Sequence, residues 1–262
     1  MNYNTKYYFS VGAIFKNESH IMKEWLEHYF FHGVDHIYLI NDQSDDNFLE
    51  ILQPYIDQNK ITLFNPIEPY YLGRQRNLYN KLFLPILKES KWFGIFDLDE
   101  FLFSTRNTNI KVILEQCHNI AQIQICGSLY GSNGIIKHPK YIVPSFTKRE
   151  DYNNDFPTIF KYILNSDYDF VCLNVHHADF KDPELKKTKF IRLDFITDKI
   201  NPYFSFNHYY CQSKDFFMNV KCTRTDVDNY LQKNEELFNF HDRNTVEDLT
   251  LFEQNRSLYP DL

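Results

Sequence analysis

Apolar and polar positions in the first hundred residues follow two alternating rhythms. Tyr7 to Phe15 is a largely apolar run with the length of a buried strand, closed by Lys16-Asn17-Glu18. Behind it, Ile21, Met22, Trp25, Leu26, Tyr29 and Phe30 recur at helical spacing, and Gly33 is placed to stop that helix. Ile37 to Ile40 predicts a second strand running into the polar loop Asn41-Asp42-Gln43-Ser44-Asp45-Asp46. A short helix is expected over Phe48 to Ile56, interrupted near Pro54, and a third strand over Ile61 to Phe64. From about Arg74 to Lys88 the residues Leu78, Tyr79, Leu82, Phe83, Ile86 and Leu87 share one helical face, with a kink expected at Pro85. Trp92 to Phe96 is the fourth strand. Such a β-α-β-α-β-α-β series predicts an α/β protein with a mostly parallel sheet flanked by helices.

The second half is less regular, as an α+β arrangement would be. Ile120 to Ile125 reads as a strand, followed by Gly127 and Gly131-Ser132-Asn133-Gly134, where three of only seven glycines gather. That cluster marks either backbone that other residues resist or a plain turn. Phe170 to Val175 predicts another strand and leads into His176-His177-Ala178-Asp179. Beyond Thr225 the mixture of Asn, Glu and Gln with Leu and Phe suggests one or two surface helices.

In a parallel sheet, ligands bind beyond the carboxyl ends of the strands. Three polar clusters fall there: Asn17-Glu18, Asn41 to Asp46, and Asp97-Leu98-Asp99-Glu100. If the last segment is extended, Asp97 and Asp99 point to one side and Glu100 to the other. Two close carboxylates repel unless a positive group lies between them, and Mg²⁺ or Mn²⁺, which also hold substrate phosphates, are natural candidates. An exposed acidic turn is the plainer alternative. No glycine-rich phosphate loop follows the first strand, which disfavours a P-loop nucleotide or a wrapped dinucleotide. Gly73-Arg74-Gln75-Arg76-Asn77 offers positive charge near the same edge, or an ordinary solvated helix start.

At 262 residues, with 25 Phe and 19 Tyr, the chain can bury a sizeable core. A formal charge of −7 argues against non-specific nucleic-acid binding. Five scattered cysteines without CxxC spacing predict free thiols rather than a zinc site. Neither a signal sequence nor a membrane span is recognisable, so a soluble, cytoplasmic protein, able to work at a membrane surface, is expected.

Taken in order, several segments resemble glycosyltransferase family 92 and related family-2-like glycosyltransferases: Phe15 to Glu18, Glu24 to Tyr29, Gly33 to His36, Asn41 to Asp46, Trp92 to Phe101, Gly131 to Gly134, Asn207-His208-Tyr209, Ser213-Lys214 and Lys221 to Arg224. The resemblance implies one GT-A domain over 1–262, with a nucleotide-sugar half (1–104), an acceptor half (105–225) and a helical tail (226–262). It implies a metal-dependent transfer, inverting in course, from a nucleotide sugar (UDP being the expected nucleotide) to a carbohydrate or other hydroxyl acceptor. By the same likeness, Asp97-Leu98-Asp99 corresponds to a DxD motif: Asp99 holds Mn²⁺ (or Mg²⁺), Asp97 reaches the ribose or the metal's water shell, and His208 is a further ligand. Asn17, Glu18 and Asp42 would line the uracil and ribose pocket, and Arg76 and Asn77 would steady the sugar phosphate. Gly131, Ser132, Asn133, Gly134, His176, His177 and Lys214 fall on the acceptor side. One departure is Ile135, where a family histidine often follows the glycine. General-base candidates are Asp179 first, then Asp215 and Glu100. Two rival readings are a haloacid-dehalogenase-like phosphatase, whose motif Phe96-Asp97-Leu98-Asp99 resembles, and a non-catalytic sugar-nucleotide or glycan-binding module.

Overall fold

The computed structural model describes residues 5–151, 159–193, 203–223 and 233–262. The first half alternates as expected: β1 (Tyr7–Phe15), α1 (Ser19–Phe31), β2 (His36–Asn41), α2 (Phe48–Asp57), β3 (Ile61–Phe64), α3 (Arg74–Leu78) and β4 (Ser90–Ile95). Beyond them come β5 (Glu100–Ser104), α4 (Ile110–Leu114), β6 (Gln122–Leu129), β7 (Lys148–Arg149), β8 (Phe160–Asn165), β9 (Phe170–Leu173), β10 (Ala178–Phe180) and α5 (Leu185–Thr188). The remainder holds β11 (Phe190–Leu193), β12 (Phe204–His208), α6 (Lys214–Asn219), α7 (Glu235–His241), β13 (Val246–Glu247) and α8 (Thr250–Gln254).

One sheet runs β3-β2-β1-β4-β8-β6-β12-β5, with β11 also paired to β6. The strands β1 to β4 are mutually parallel, as their helical crossovers require. Past β4 the sheet becomes mixed: β8 lies antiparallel to both β4 and β6, and β5 returns antiparallel to β12. The sheet of this α/β protein is therefore mixed rather than mostly parallel, with parallel order confined mainly to its first half.

Alternation along β1 divides the core. Phe9, Val11, Ala13 and Phe15 pack on one face with Trp25, Leu26 and Tyr29 of α1, whereas Ile14 joins Tyr38, Phe83 and Phe93 on the other. At Gly12 an added Cβ would sit 2.9 Å from the rings of both Phe83 and Phe93, so glycine lets that layer close. Gly33 (φ +94°) follows α1 in the left-handed region, which is why the helix stops there.

Three local expectations need correction. The helix α2 runs unbroken through Pro54. The long third helix is α-helical only to Leu78; it widens into a π turn over Tyr79–Phe83 and tightens into a 3₁₀ turn over Leu84–Glu89. Pro85 explains this, because it lacks an N–H and its ring crowds the carbonyl four residues earlier. The tail is not simply superficial. Its buried Asn255 side chain lies 2.7 Å from His32 Nε2, and the Tyr259 hydroxyl donates to Glu24 Oε1 at 2.9 Å, tying it to α1. All five cysteines are free, as expected. Among the described residues no helix is long and apolar enough to cross a membrane.

Candidate active site

The carboxyl ends of β1, β2 and β4 open into one cleft of about 410 Å³. Glu18 follows β1, Asp42 and Gln43 follow β2, and Asp97, Asp99 and Glu100 follow β4; all line it. The three polar clusters thus converge where a parallel sheet places its ligands. From the second half come Lys161, Val175, His176, His208, Tyr210 and Lys221.

The acidic segment is a turn, not an extended strand. The Glu100 N–H donates to the Asp97 carbonyl at 3.0 Å, and Glu100 Oε2 accepts from the Asp97 N–H at 2.9 Å. Chain reversal cancels the alternation expected of an extended segment. Asp97 and Glu100 end beside the same ammonium, Lys161 Nζ, at 2.7 and 3.3 Å, while Asp99 faces elsewhere. The helix α1 holds the turn from beneath. Trp25 Nε1–H donates to the carbonyls of both Asp97 and Glu100 at 3.0 Å, and the Tyr29 hydroxyl donates to the Glu100 carbonyl at 3.0 Å.

Strand register explains the neighbours. In the β4–β8 pair, Ile95 faces Tyr162, so the preceding residue of the antiparallel strand, Lys161, falls beside the turn. In the β5–β12 pair, His208 faces Glu100, and the Tyr209 N–H donates to the Asp99 carbonyl at 2.8 Å. That brings His208 Nε2 to 3.5 Å from Asp99 Oδ1. Lys221, just after α6, places its ammonium 2.6 Å from Asp99 Oδ2 and donates to the Tyr210 carbonyl at 2.6 Å.

These charges are buried, and their neighbours decide their state. Burial alone would raise the Asp99 carboxyl, but Lys221 and His208 hold it well below the usual carboxylate range. Burial would lower Lys161, and Asp97 with Glu100 reverse this, raising it above an ordinary lysine. Burial pushes Glu100 up to about 7; Lys161 opposes the rise, and the Asp97 charge adds to it.

Asp99 and His208 are a carboxylate and an imidazole that could share a divalent ion. Their 3.5 Å separation is wider than the roughly 3.0 Å between adjacent ligands of an octahedral ion with bonds of about 2.1 Å, so the pair would draw together around one. Asp97 Oδ1, on the same turn, is buried without a hydrogen-bond partner among the described residues. No group of three or more His, Cys, Asp or Glu side chains gathers as a cage among the described residues. Mg²⁺-like ions need none, since they keep waters and substrate phosphates as ligands.

The other expected site residues are distributed unevenly. Asn17, in a left-handed conformation (φ 52°), ties two loops together: its N–H donates to Ser44 Oγ and its Oδ1 accepts from the Asp45 N–H, while Lys16 and Glu18 on either side line the cleft. On α3 the phase differs from expectation. Arg74 and Gln75 are buried in the cleft wall, Arg74 Nε 2.8 Å from Asp42 Oδ1, whereas Arg76 and Asn77 are exposed outside the lining. Helical geometry turns successive residues about 100° apart, so only part of one short turn can face the ligand.

Gly131 to Gly134 lie away from the cleft. Ser132 and Asn133 donate their N–H groups to Asp242 Oδ1 and Asn244 Oδ1, a seam with the tail. Lys214 pairs with Glu235 at 2.7 Å, and Asp215 is exposed in the first turn of α6. His177 and Asp179 stand 3.4 Å apart on the β9–β10 hairpin, with Asp179 also accepting from Asn174 Nδ2; neither lines the cleft, although His176 does. Of the three base candidates only Glu100 borders it. Arg224 falls outside the described residues. Lys161 and Trp25 carry roles the sequence reading did not assign. A lysine set among Ile159, Phe160, Tyr162, Ile163 and Leu164 was the available signal for the first.

The fold and the cleft together define an α/β protein with a ligand cleft at the carboxyl edge of its parallel strands. The chain belongs to glycosyltransferase family 92, whose profile matches residues 5–250. A family 92 protein of rice (Oryza sativa subsp. japonica) is 22% identical over 133 residues, covering 50% of this chain and 22% of that protein. Among solved structures, S. aureus TarS 1-349 in complex with UDP is 16% identical with a TM-score of 0.40, over 76% of this chain and 60% of that one. The same TarS fragment in complex with UDP-GlcNAc gives 15% and 0.39, over 76% and 58%. The chain thus spans about a fifth of the rice protein and roughly three-fifths of the TarS fragment.

Proposed function

We propose that this chain is a metal-dependent glycosyltransferase that moves a sugar from a uridine diphosphate sugar to a hydroxyl acceptor. Family membership supports the reaction class. The observation that carries the site is the meeting of Asp99 and His208 at 3.5 Å on the floor of the cleft formed by the β1, β2 and β4 ends. In this reading Glu18, Asp42 and Gln43 border the nucleoside, and Asp99 with His208 holds Mn²⁺ or Mg²⁺. The bound ion supplies Lewis-acid stabilisation of the charge that grows on the leaving diphosphate.

His176 completes the acceptor side. Its Nδ1 lies 2.8 Å from the Phe160 carbonyl, which can only accept, so the proton is assigned to Nδ1 and Nε2 is left as a bare acceptor. Partial desolvation in the cleft, with the Lys161 ammonium nearby, lowers its pKa from the ordinary 6.5 and favours the neutral ring at pH 7. We assign the acceptor hydroxyl proton to this Nε2, in place of Asp179 and Asp215, which lie off the cleft. Replacing His176 by alanine is expected to reduce transfer about 10²–10⁴-fold, with UDP affinity retained. Parallel measurement of product formation and of UDP binding checks this; equal transfer by the variant would remove His176 from the mechanism.

A panel of nucleotide sugars, with and without Mn²⁺, tests the reading as a whole. Ligands of the folded state raise the melting temperature with concentration, and turnover releases free nucleotide. Binding and release confined to UDP sugars with metal are expected. Absence of both across the panel would discard the proposal, and binding without turnover against a broad acceptor set would favour a sugar-nucleotide-binding module.

A further inference from the structure

Two lysines that line the cleft are buried charges: Lys161 is 1% exposed and Lys221 is 5% exposed. A buried ammonium is costly unless paired, and pairing here is close. Lys161 Nζ meets Asp97 Oδ2 and Glu100 Oε2; Lys221 Nζ meets Asp99 Oδ2 and the Tyr210 carbonyl, and stands 4.4 Å over the Tyr210 ring. Each ammonium carries three N–H donors, and each has two oxygen partners. Each ammonium thus has at most one donor beyond its oxygen partners, and on Lys221 the Tyr210 ring competes for it. Structural ion pairs of this cost could have been replaced by apolar side chains without loss of stability, and often with a gain. Their presence at the floor of a ligand cleft points to a function for the cations themselves, with the carboxylates of the turn keeping them charged and fixed.

We propose that Lys161 and Lys221 form a fixed two-ammonium clamp for the nucleotide's diphosphate, so that a nucleoside diphosphate binds this cleft even without a divalent ion. The proposal rests on the donor-site reading above and deepens it. Lys221 uses Asp99 Oδ2, whereas Oδ1 faces His208, so the clamp and the ion occupy different oxygens of one carboxylate. The ion then serves the chemical step, while the lysines account for ground-state binding of the diphosphate.

Binding to the folded protein is measured in EDTA with UDP, inorganic pyrophosphate and uridine, by calorimetry and by thermal shift. UDP and pyrophosphate are expected to bind and to raise the melting temperature in a concentration-dependent way. Lys221→Met and Lys161→Met are each expected to weaken UDP binding in EDTA roughly 10–100-fold, the loss of one charge-assisted contact, without changing the response to uridine. UDP binding that requires Mn²⁺ in the wild-type protein would overturn the clamp and leave the donor site intact. No UDP binding with or without Mn²⁺ would overturn both. Should a variant fail to fold, the wild-type comparison of UDP with uridine in EDTA still decides: equal affinities refute the clamp.

Discussion

Replacing Asp99 by asparagine is expected to lower metal-dependent sugar transfer by at least about 100-fold. Asparagine keeps the side-chain shape but removes the charge that Lys221 and His208 hold below the usual carboxylate range. A divalent ion at this position would lose its one anionic protein ligand, and the several kcal/mol it gives to the leaving group correspond to factors of 10² or more in rate. Both changes leave Lys221 without its counter-charge, and alanine is the poorer test because it also removes the oxygen that accepts from the buried ammonium; breaking a buried pair costs roughly 3–5 kcal/mol. The measurement is release of UDP from the accepted donor over a Mn²⁺ titration, with circular dichroism confirming the fold. Wild-type turnover with unchanged metal dependence would show that Asp99 does not hold the ion.

A second large effect is expected far from any substrate, at Trp25. Its indole is fully buried on α1, and its single N–H bridges the carbonyls of Asp97 and Glu100. Trp25→Ala should destabilise the protein by about 3–5 kcal/mol through the cavity alone. Trp25→Phe separates packing from hydrogen bonding: it retains much of the ring but removes this donor from both carbonyls, at a cost of about 0.5–1.5 kcal/mol per bond. The Glu100 carbonyl keeps the Tyr29 hydroxyl and the Asp97 carbonyl keeps the Glu100 N–H, so the change loosens the turn from α1 without orphaning either carbonyl. Urea unfolding reads the stability, and UDP affinity reads the turn. If Trp25→Phe unfolds at the wild-type midpoint and binds UDP equally well, α1 is not what sets the acidic turn.

Both effects meet at one design feature. The carboxylates that give the chain its most conspicuous motif are not exposed to one another; each is matched with a lysine from a distant element. Lys161 arrives on β8, and Lys221 follows α6, respectively 64 and 122 positions along the chain from Asp97 and Asp99. The turn therefore works as a distributor of charge, sending Asp97 and Glu100 to one ammonium and Asp99 to another.

Much of this was written locally in the chain. The strand–helix alternation from Tyr7 to Ile95 follows from periodicity, because a half-buried helix and a buried strand demand different spacings of apolar residues. Convergence of Glu18, Asp42 and the acidic turn followed in turn, since parallel strands linked by crossovers must end on the same edge. What the chain could not disclose by itself depends on register between elements far apart in sequence. Only the antiparallel pairing of β8 with β4 brings Lys161 under Asp97, and only that of β12 with β5 sets His208 against Asp99. Whether Asp97 and Asp99 share a side was likewise a tertiary matter, settled when Trp25 and Tyr29 gripped the turn's carbonyls and bent it out of the extended state. Periodicity determines which residues are buried; long-range strand pairing determines which buried charges meet.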